Sequence, residues 1–270
     1  MLALTLLVPG TTPANITQSL SGTPVPADKG RLLFVEADRR NSGYRDMQVS
    51  LQMVLVSPRG GRTERSLRIQ QVETQDDGDK VLVVFDLPAS IRGTALLSYA
   101  HLQAVDDQWL FLPALKKTKR IASKDKNGSF MGSDLNYSDM TSPDLDLYDY
   151  TLMKETEVRG EKVWQIKSVP KNKDEAKKTG YSKSVVFIRQ DNFVMVRGVR
   201  WVYKKKRNKY LDVRKLEKID GIWVSTEMHV TTKSGKKTLH KTIMKQKNIH
   251  FNQDKVNENL FTIRRLEKGL

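Results

Sequence analysis

The sequence contains no cysteine among its 270 residues. This absence excludes disulfide bonds, thiol catalysis, thiolate metal sites and attachment of a lipid to a cysteine. The sequence also lacks an apolar run of about 18 residues, the length that a membrane-spanning helix requires. We therefore expect a soluble protein that is not lipid-anchored, and the lack of cysteine is compatible with the periplasm.

The N-terminus resembles part of a secretory signal. Residues 2–8 (LALTLLV) form a short apolar run, and residues 12–14 (TPA) place small side chains before a cut after Ala14. The basic segment that normally precedes the apolar run is missing. Residues 1–14 are therefore predicted to be a truncated signal peptide, which would direct the protein to the periplasm of a Gram-negative cell envelope. A frayed terminus or a first strand is the alternative.

The charge of the chain is unevenly distributed. The formal net charge is +16, from 47 basic and 31 acidic residues. Residues 1–150 carry 17 Lys and Arg against 18 Asp and Glu, whereas residues 151–270 carry 30 against 13. This asymmetry predicts an anionic partner for the second half.

The hydrophobic pattern predicts a mainly β protein. Residues 30–40 have helical spacing, whereas residues 47–55 alternate with a period of two. Further alternating segments recur at hairpin spacing, and about a dozen strands with one clear helix indicate one large antiparallel sheet. A loop-rich insert at 114–150 interrupts the series, which resumes from about residue 161. So few helices cannot coat so many strands, so the sheet is expected to curl on itself. Residues 15–270 are predicted to form a single domain.

The middle of the chain resembles a bacterial family. A tryptophan-led strand ends in Leu-Pro at 109–113, a basic stretch ends in Arg-Ile at 116–121, and Ser-Phe-Met-Gly-Ser-Asp at 129–134 precedes Tyr137 and Asp139. This compound motif resembles the outer membrane lipoprotein-sorting proteins, relatives in fold of the periplasmic carriers LolA and LolB. The resemblance is sharp over residues 87–140. Lysines replace the family's more usual arginines in the basic stretch.

The resemblance implies a fold and a function. The fold would be an unclosed, strongly curved antiparallel sheet, a half-barrel around a hydrophobic cavity with helices and loops as its lid. The function would be that of a non-enzymatic carrier, which binds the acyl chains of a lipid or lipoprotein and passes them between membrane partners. An RND-type membrane transporter is an implied partner, and no cofactor is expected.

Apolar side chains are the candidates for a cargo site. Burial of an acyl chain contributes about 0.8 kcal/mol per methylene, so the site needs apolar walls. The predicted wall and lid residues are Trp109, Leu110, Phe111, Leu112, Phe130, Met131, Tyr137 and Met140. The alternative is that they fill the core. The predicted headgroup or membrane contacts are Arg120, Lys116, Lys117 and Lys119.

The polar residues of the insert are predicted to order its loop. Gly132 would supply an unusual backbone angle, and Asp134 and Asp139 would accept backbone N–H groups beside Ser133. Alternatively, Ser133 or Ser129 would be the nucleophile of a lipid hydrolase. No histidine stands in a recognisable triad context, which argues against this alternative.

No metal site is predicted. Asp144, Asp146 and Asp149 alternate like calcium ligands, but the glycine and glutamate of an EF-hand are missing. His229 and His240 flank a turn and are expected to pair across that hairpin, which alone does not form a zinc site.

Two basic runs in the second half flank turns, at 204–209 (KKKRNK) and 233–237 (KSGKK). They would contact an anionic membrane surface or simply protect strand edges. No nucleic acid-binding signature accompanies them, so no nucleic acid partner is expected. The sequence therefore predicts a periplasmic lipid carrier. A basic interaction protein with a packed core is the alternative.

Overall fold

The computed structural model describes residues 26–40, 43–74, 77–101, 104–141, 144–253, 256 and 258–268. The predicted signal peptide at 1–14 lies outside these residues. No helix in the described part of the chain is both long and apolar enough to cross a membrane.

The described residues form thirteen strands and three α-helices. The strands are β1 (Asp46–Val56), β2 (Arg62–Val72), β3 (Lys80–Leu87), β4 (Ala95–Tyr99), β5 (Asp107–Leu112), β6 (Lys117–Arg120), β7 (Tyr148–Val158), β8 (Glu161–Pro170), β9 (Tyr181–Arg189), β10 (Met195–Val202), β11 (Asn208–Ile219), β12 (Ile222–Ser234) and β13 (Lys237–Phe251). The helices are α1 (Pro26–Arg39), α2 (Lys173–Thr179) and α3 (Ile263–Lys268).

All thirteen strands belong to one sheet. Its order is β6-β5-β4-β3-β2-β1-β13-β12-β11-β10-β9-β8-β7, and its described strands do not close into a barrel. The strand pairs are antiparallel hairpins, apart from the pairing of β1 with β13. The predicted fold class, a mainly β protein on one open antiparallel sheet, is confirmed.

Several elements differ from the sequence prediction, which also placed strand β6 inside the loop-rich insert at 114–150. Strands resume at Tyr148 rather than near residue 161, because β7 was missed. β7 is an edge strand, and its run of polar residues at 154–157 (KETE) weakens the apolar alternation that reveals other strands. Helix α2 was also missed, since its seven residues are too few for a helical period to show.

The chain divides into two compact units. In its described part, unit 1 comprises residues 44–141 and 240–268, and unit 2 comprises residues 26–40, 43 and 144–239. The prediction that residues 15–270 act as a single domain stays a prediction.

Unit 1 has an apolar side chain layer on each face of its sheet. One face, here called the helix-covered face, packs beneath α3 and the segment before it. Its core consists of Leu82, Val84, Leu97, Phe111, Phe261 and Leu266. Because side chains alternate along a strand, the intervening residues form the opposite face. This opposite face includes the buried residues Leu51, Met53, Leu67, Phe85, Leu96 and Met244.

In unit 2, helix α1 covers the sheet. Leu33 projects from α1 into a core with Tyr150, Ile166, Val186 and Ile188. Gly30 allows the helix to approach β7 closely: a Cβ at this position would lie 2.8 Å from the backbone nitrogen of Leu152. Helix and strand therefore pack backbone against backbone at this point.

Candidate functional site

The motif of residues 128–140 forms a loop on the second face of unit 1, which we call the loop-covered face. Phe130 is 0% exposed, and the centroid of its ring lies 5.8 Å from that of Phe85. Tyr137 packs edge-on against Phe130 at 5.7 Å between centroids. Phe130 therefore acts as an aromatic plug between the loop and the sheet.

Short hydrogen bonds hold the loop in a tight turn. Phe130 donates its N–H to the carbonyl of Leu135 (2.7 Å), and the Ser133 hydroxyl donates to the carbonyl of Phe130 (2.7 Å). The Asp139 carboxylate accepts the N–H of Asn136 (2.7 Å). Gly132 has a positive φ of 74°, and Met131, at 49°, shares this left-handed region. This turn is what directs Phe130 at the sheet.

The buried Asp134 connects the loop to β13. Its N–H donates to the Thr242 hydroxyl (2.9 Å), and that hydroxyl donates to the Asp134 carboxylate (2.7 Å). His240 Nδ1 lies 2.7 Å from the same carboxylate oxygen. His240 thus contacts Asp134, whereas His229 contacts Glu227. The expected pairing of the two histidines across their hairpin stays a prediction. We call Asp134, Thr242 and His240 the loop latch.

Two further side chains of the sheet bind the backbone of the loop. Arg65 on β2 donates to the carbonyl of Met131 and lies near the ring of Phe85. Burial lowers the pKa of Arg65 from its ordinary value. Gln108 on β5 donates to the carbonyl of Tyr137 (2.9 Å) and to the Ser98 hydroxyl (3.2 Å). Neither residue is predicted from the sequence, because the partners of Arg65 and Gln108 in the loop lie far away along the chain.

The predicted wall residues of β5 are divided between the two faces. Trp109 and Phe111 point to the helix-covered face, where Trp109 packs against Tyr99 with 5.0 Å between ring centroids. Leu110 and Leu112 are half-buried on the loop-covered face. The structure therefore separates the two aromatic residues from the loop. Their role in lining a cargo site stays a prediction, and their packing is that of core side chains.

The remaining lid residues lie at the margin of the loop. Tyr137, Met131 and Met140 are all half-buried, unlike Phe130. Burial raises the pKa of the Tyr137 hydroxyl. These three side chains therefore remain partly accessible to solvent where the loop meets the sheet.

The predicted headgroup contacts do not converge on one point. Lys117, Lys119 and Arg120 are exposed on the edge strand β6, and Lys116 immediately precedes them. Arg120 pairs with Trp109 across the strands and donates to Asp107 (2.9 Å), so it belongs to the helix-covered face. Burial opposes ionisation of Asp107, but hydrogen bonds from Arg120 and His101 lower its pKa. Lys117 and Lys119 point to the opposite face.

The two serines considered as nucleophiles, Ser129 and Ser133, form hydrogen bonds within the loop. The Ser129 hydroxyl donates to the carbonyl of Ser133 (2.6 Å), and the hydroxyl of Ser133 also accepts the N–H of Leu135 (3.2 Å). Among the described residues, no group of three or more His, Cys, Asp or Glu side chains could hold a metal ion. Both serine hydroxyls are therefore engaged in hydrogen bonds within the loop.

One open antiparallel sheet of thirteen strands is consistent with a LolA-like fold. A LolA superfamily protein from Nitrosomonas europaea shares this fold, with a TM-score of 0.65 at 16% identity over 89% of this chain and 99% of that chain.

Two solved structures are more similar. One is a domain from Vibrio parahaemolyticus named for outer membrane lipoprotein sorting, with 30% identity, a TM-score of 0.81 and coverage of 89% of this chain and 99% of that chain. The other is a DUF1329 family protein from Desulfovibrio piger, with 30% identity, a TM-score of 0.81 and coverage of 90% of this chain and 100% of that chain. The chain belongs to this outer membrane lipoprotein-sorting (DUF1329) family, and the predicted resemblance is confirmed.

A family model described as an uncharacterized protein also matches residues 77–268. No curated protein matches the chain. The three structural relatives are named for lipoprotein sorting or by family, and none is named as an enzyme.

Proposed function

We propose that the protein is a periplasmic, non-enzymatic carrier that holds the acyl chains of a lipid or lipoprotein between the loop-covered face and the loop of residues 128–140. The observation that carries this proposal is the plug. On this apolar face the loop inserts the fully buried Phe130, whose ring centroid lies 5.8 Å from that of Phe85. The family name, lipoprotein sorting, supports the same class of cargo.

The energetics allow cargo to replace the plug. Withdrawing a fully buried phenylalanine from a core costs about 3–5 kcal/mol. Each buried methylene returns about 0.8 kcal/mol. An acyl segment of about five methylenes therefore offsets the loss of the contacts of Phe130, and ordinary acyl chains exceed this length.

The polar contacts of the loop set the remaining cost of opening. The loop latch and the hydrogen bond of Arg65 must break for the loop to leave the sheet. A neutral hydrogen bond contributes about 1 kcal/mol, and one to a charged group about 1.5–3 kcal/mol. A closed empty form and an open loaded form are then close enough in free energy for reversible loading.

The proposed partners follow from such a cycle. A carrier must receive its cargo from one membrane-associated protein and deliver it to another, and an RND-type transporter is the partner that the family resemblance implies. The predicted anionic membrane surface would serve as the place of exchange. The sequence feature that fits these partners is the basic second half of the chain.

Mass spectrometry of organic extracts tests the proposal. Protein purified without detergent from a bacterial periplasm should release a stoichiometric acylated species. Trp109→Ala should retain this species, because Trp109 packs on the helix-covered face. Phe130→Trp, which enlarges the plug, should reduce the amount of the acylated species that the protein releases. A clean extract, together with no uptake of a fluorescent fatty acid, would overturn the carrier and favour the interaction protein with a packed core.

A further inference from the structure

The excess positive charge of unit 2 lies at one end of its strands. In an antiparallel meander, the connections β8–β9, β10–β11 and β12–β13 lie at the same end. Residues 171–183, 200–209 and 233–237 cover these connections and the adjacent strand ends. Together they contain 14 Lys and Arg but only two acidic residues. We call this region the basic end.

The opposite end of the same strands is electrically balanced. Residues 155–162, 189–193 and 214–223 cover the three connections there and contain six basic and six acidic residues. Ion pairs are present among them, such as Arg189 with Asp191 (2.6 Å). The strands of unit 2 are therefore polarised in charge from one end to the other, which random scatter of solubilising lysines does not explain.

One of the two acidic residues of the basic end is withdrawn from the surface. Glu175 is buried, pairs with Lys178 (2.5 Å) and accepts a hydrogen bond from the Tyr148 hydroxyl (2.9 Å). Asp174 is the acidic residue that remains exposed. Meanwhile the turn residues 204–207, all Lys or Arg, are exposed, as are Lys236 and Lys237. The accessible surface of this end is almost purely cationic.

Aromatic rings lie directly beneath several of these cations. Lys183 Nζ lies 4.5 Å from the centroid of Trp201, and Lys204 Nζ lies 5.5 Å from that of Tyr203. Further pairs at this end are Arg200 over Tyr181 (5.0 Å), Lys209 over Tyr181 (5.4 Å) and Lys233 over Tyr210 (5.4 Å). A ring positions a cation without neutralising its charge. The basic end therefore combines oriented cations with the half-buried Trp201, Tyr203 and Tyr210 and the buried Tyr181.

We propose that the basic end is a docking surface for the anionic headgroups of a phospholipid bilayer. Basic residues are attracted to an anionic bilayer, and Trp and Tyr favour the interface between water and lipid. The three connections lie at the same end of the strands, where a planar surface can meet them. Single-stranded nucleic acid, in contrast, stacks its bases on open aromatic faces, and here the protein's own cations lie over one face of each ring. This surface rests on the proposed function in that it locates the membrane contact of the carrier, and vesicle binding tests it without any cargo.

Vesicle co-sedimentation tests this surface. The full chain should bind vesicles of phosphatidylcholine with about one third phosphatidylglycerol, and should not bind vesicles of phosphatidylcholine alone. Binding should weaken as salt is raised, because the interaction is electrostatic. Neutralising residues 204–207 in the variant K204Q/K205Q/K206Q/R207Q should reduce the affinity by about fivefold per cation, hence on the order of a hundredfold or more in all.

A matched variant separates this surface from overall charge. K116Q/K117Q/K119Q/R120Q removes the same charge from unit 1, at the segment where the sequence predicts membrane contact. It should lose far less affinity than the first variant. Equal losses in the two variants, a greater loss in the second, or no binding by the unmodified protein would each overturn the proposal. So would displacement of the vesicles by equimolar single-stranded DNA. Thermal melting of both variants verifies that each is folded.

Discussion

The two units differ in what packs on their strands of the shared sheet. In unit 2, α1 packs backbone to backbone on β7 at Gly30 and buries Leu33 completely. In unit 1, the loop of residues 128–140 packs Phe130 on the loop-covered face and is held there through polar contacts. A helix with such close backbone contact cannot lift in part, whereas a loop can exchange its contacts for those of a ligand. This difference is why we place the cargo in unit 1.

Truncation of the two buried anchors should expose this difference most strongly. Phe130→Ala and Leu33→Ala should each lower the free energy of unfolding, by about 3–5 and 2–5 kcal/mol respectively, because both side chains are 0% exposed. Only Phe130→Ala should strengthen the uptake of a fluorescent fatty acid, since it empties the place of the plug. Denaturant melts and probe titrations measure the two effects. Stronger uptake of the fatty acid by Leu33→Ala would show that the cargo site lies in unit 2 and not in unit 1.

Substitution of two glycines should distinguish packing from backbone conformation. Gly30→Ala should lower the free energy of unfolding by about 1–3 kcal/mol, because its Cβ would lie within 3.0 Å of the β7 backbone. Gly132→Ala meets no atom within 4 Å and should cost about 1–2 kcal/mol, through its positive φ alone. Gly132→Asn, which tolerates that backbone region, should recover part of the loss, and Gly30→Asn should not. Equal recovery at both positions would contradict the close packing of α1.

Removal of the Thr242 hydroxyl from the loop latch should destabilise the loop of residues 128–140 more than the strands of the sheet. Thr242→Val leaves the buried N–H and carboxylate of Asp134 without this partner, which should cost about 1–3 kcal/mol. Amide hydrogen exchange should accelerate in residues 128–140 ahead of the strands. Ser168→Ala, which removes a hydroxyl contact between β8 and β9 in unit 2, is the control and should leave exchange in the loop unchanged. Unchanged exchange in Thr242→Val would show that the latch does not hold the loop.

The smallest expected effect is a difference in pH dependence. In unit 1, a hydrogen bond to Asp77 raises the pKa of His101 above its ordinary value of 6.5. Its stabilising contribution is therefore complete below about pH 6.5 and is lost as the pH rises through the raised pKa. The melting temperature of His101→Gln should fall less between pH 6 and pH 9 than that of the unmodified protein. An identical fall in melting temperature would show that ionisation of His101 does not contribute to stability.

In unit 2, Glu36 has the opposite dependence. Burial opposes its ionisation, but hydrogen bonds from Arg39 and Arg40 lower its pKa below 4.5. Its contribution is therefore present above about pH 4.5 and is lost as the pH falls through the lowered pKa. In Glu36→Gln, the melting temperature should fall less at acid pH than in the unmodified protein. Its dependence on pH on the alkaline side should be unchanged.

Local patterns in the sequence predict much of this fold. The alternation at residues 47–55 identified β1, and the helical spacing at 30–40 identified α1. The alternation of side chains along a strand also accounts for Trp109 and Phe111 sharing one face of β5. It could not reveal which face the loop covers, because that depends on pairings between distant strands. β7 was missed because an edge strand needs few apolar residues.

The candidate site was only partly predictable for the same reason. The apolar content of residues 128–140 indicated a docked loop, since solvated linkers do not carry such residues. The partners of Asp134 lie more than 100 residues away, and Arg65 binds a backbone carbonyl that any residue could supply. No local motif records such contacts. The sequence of a loop can therefore indicate that the loop is ordered, but it does not identify the distant residues that the loop contacts.

A disulfide across the loop latch is the most direct test of the central claim, that cargo enters beneath the loop. The chain has no cysteine, so D134C/T242C creates a single pair, at a point where the Asp134 nitrogen lies 2.9 Å from the Thr242 hydroxyl. The oxidised variant should fail to take up a fluorescent fatty acid, and reduction should restore uptake, with each single variant as a control. Equal uptake by the oxidised and reduced forms would contradict the account.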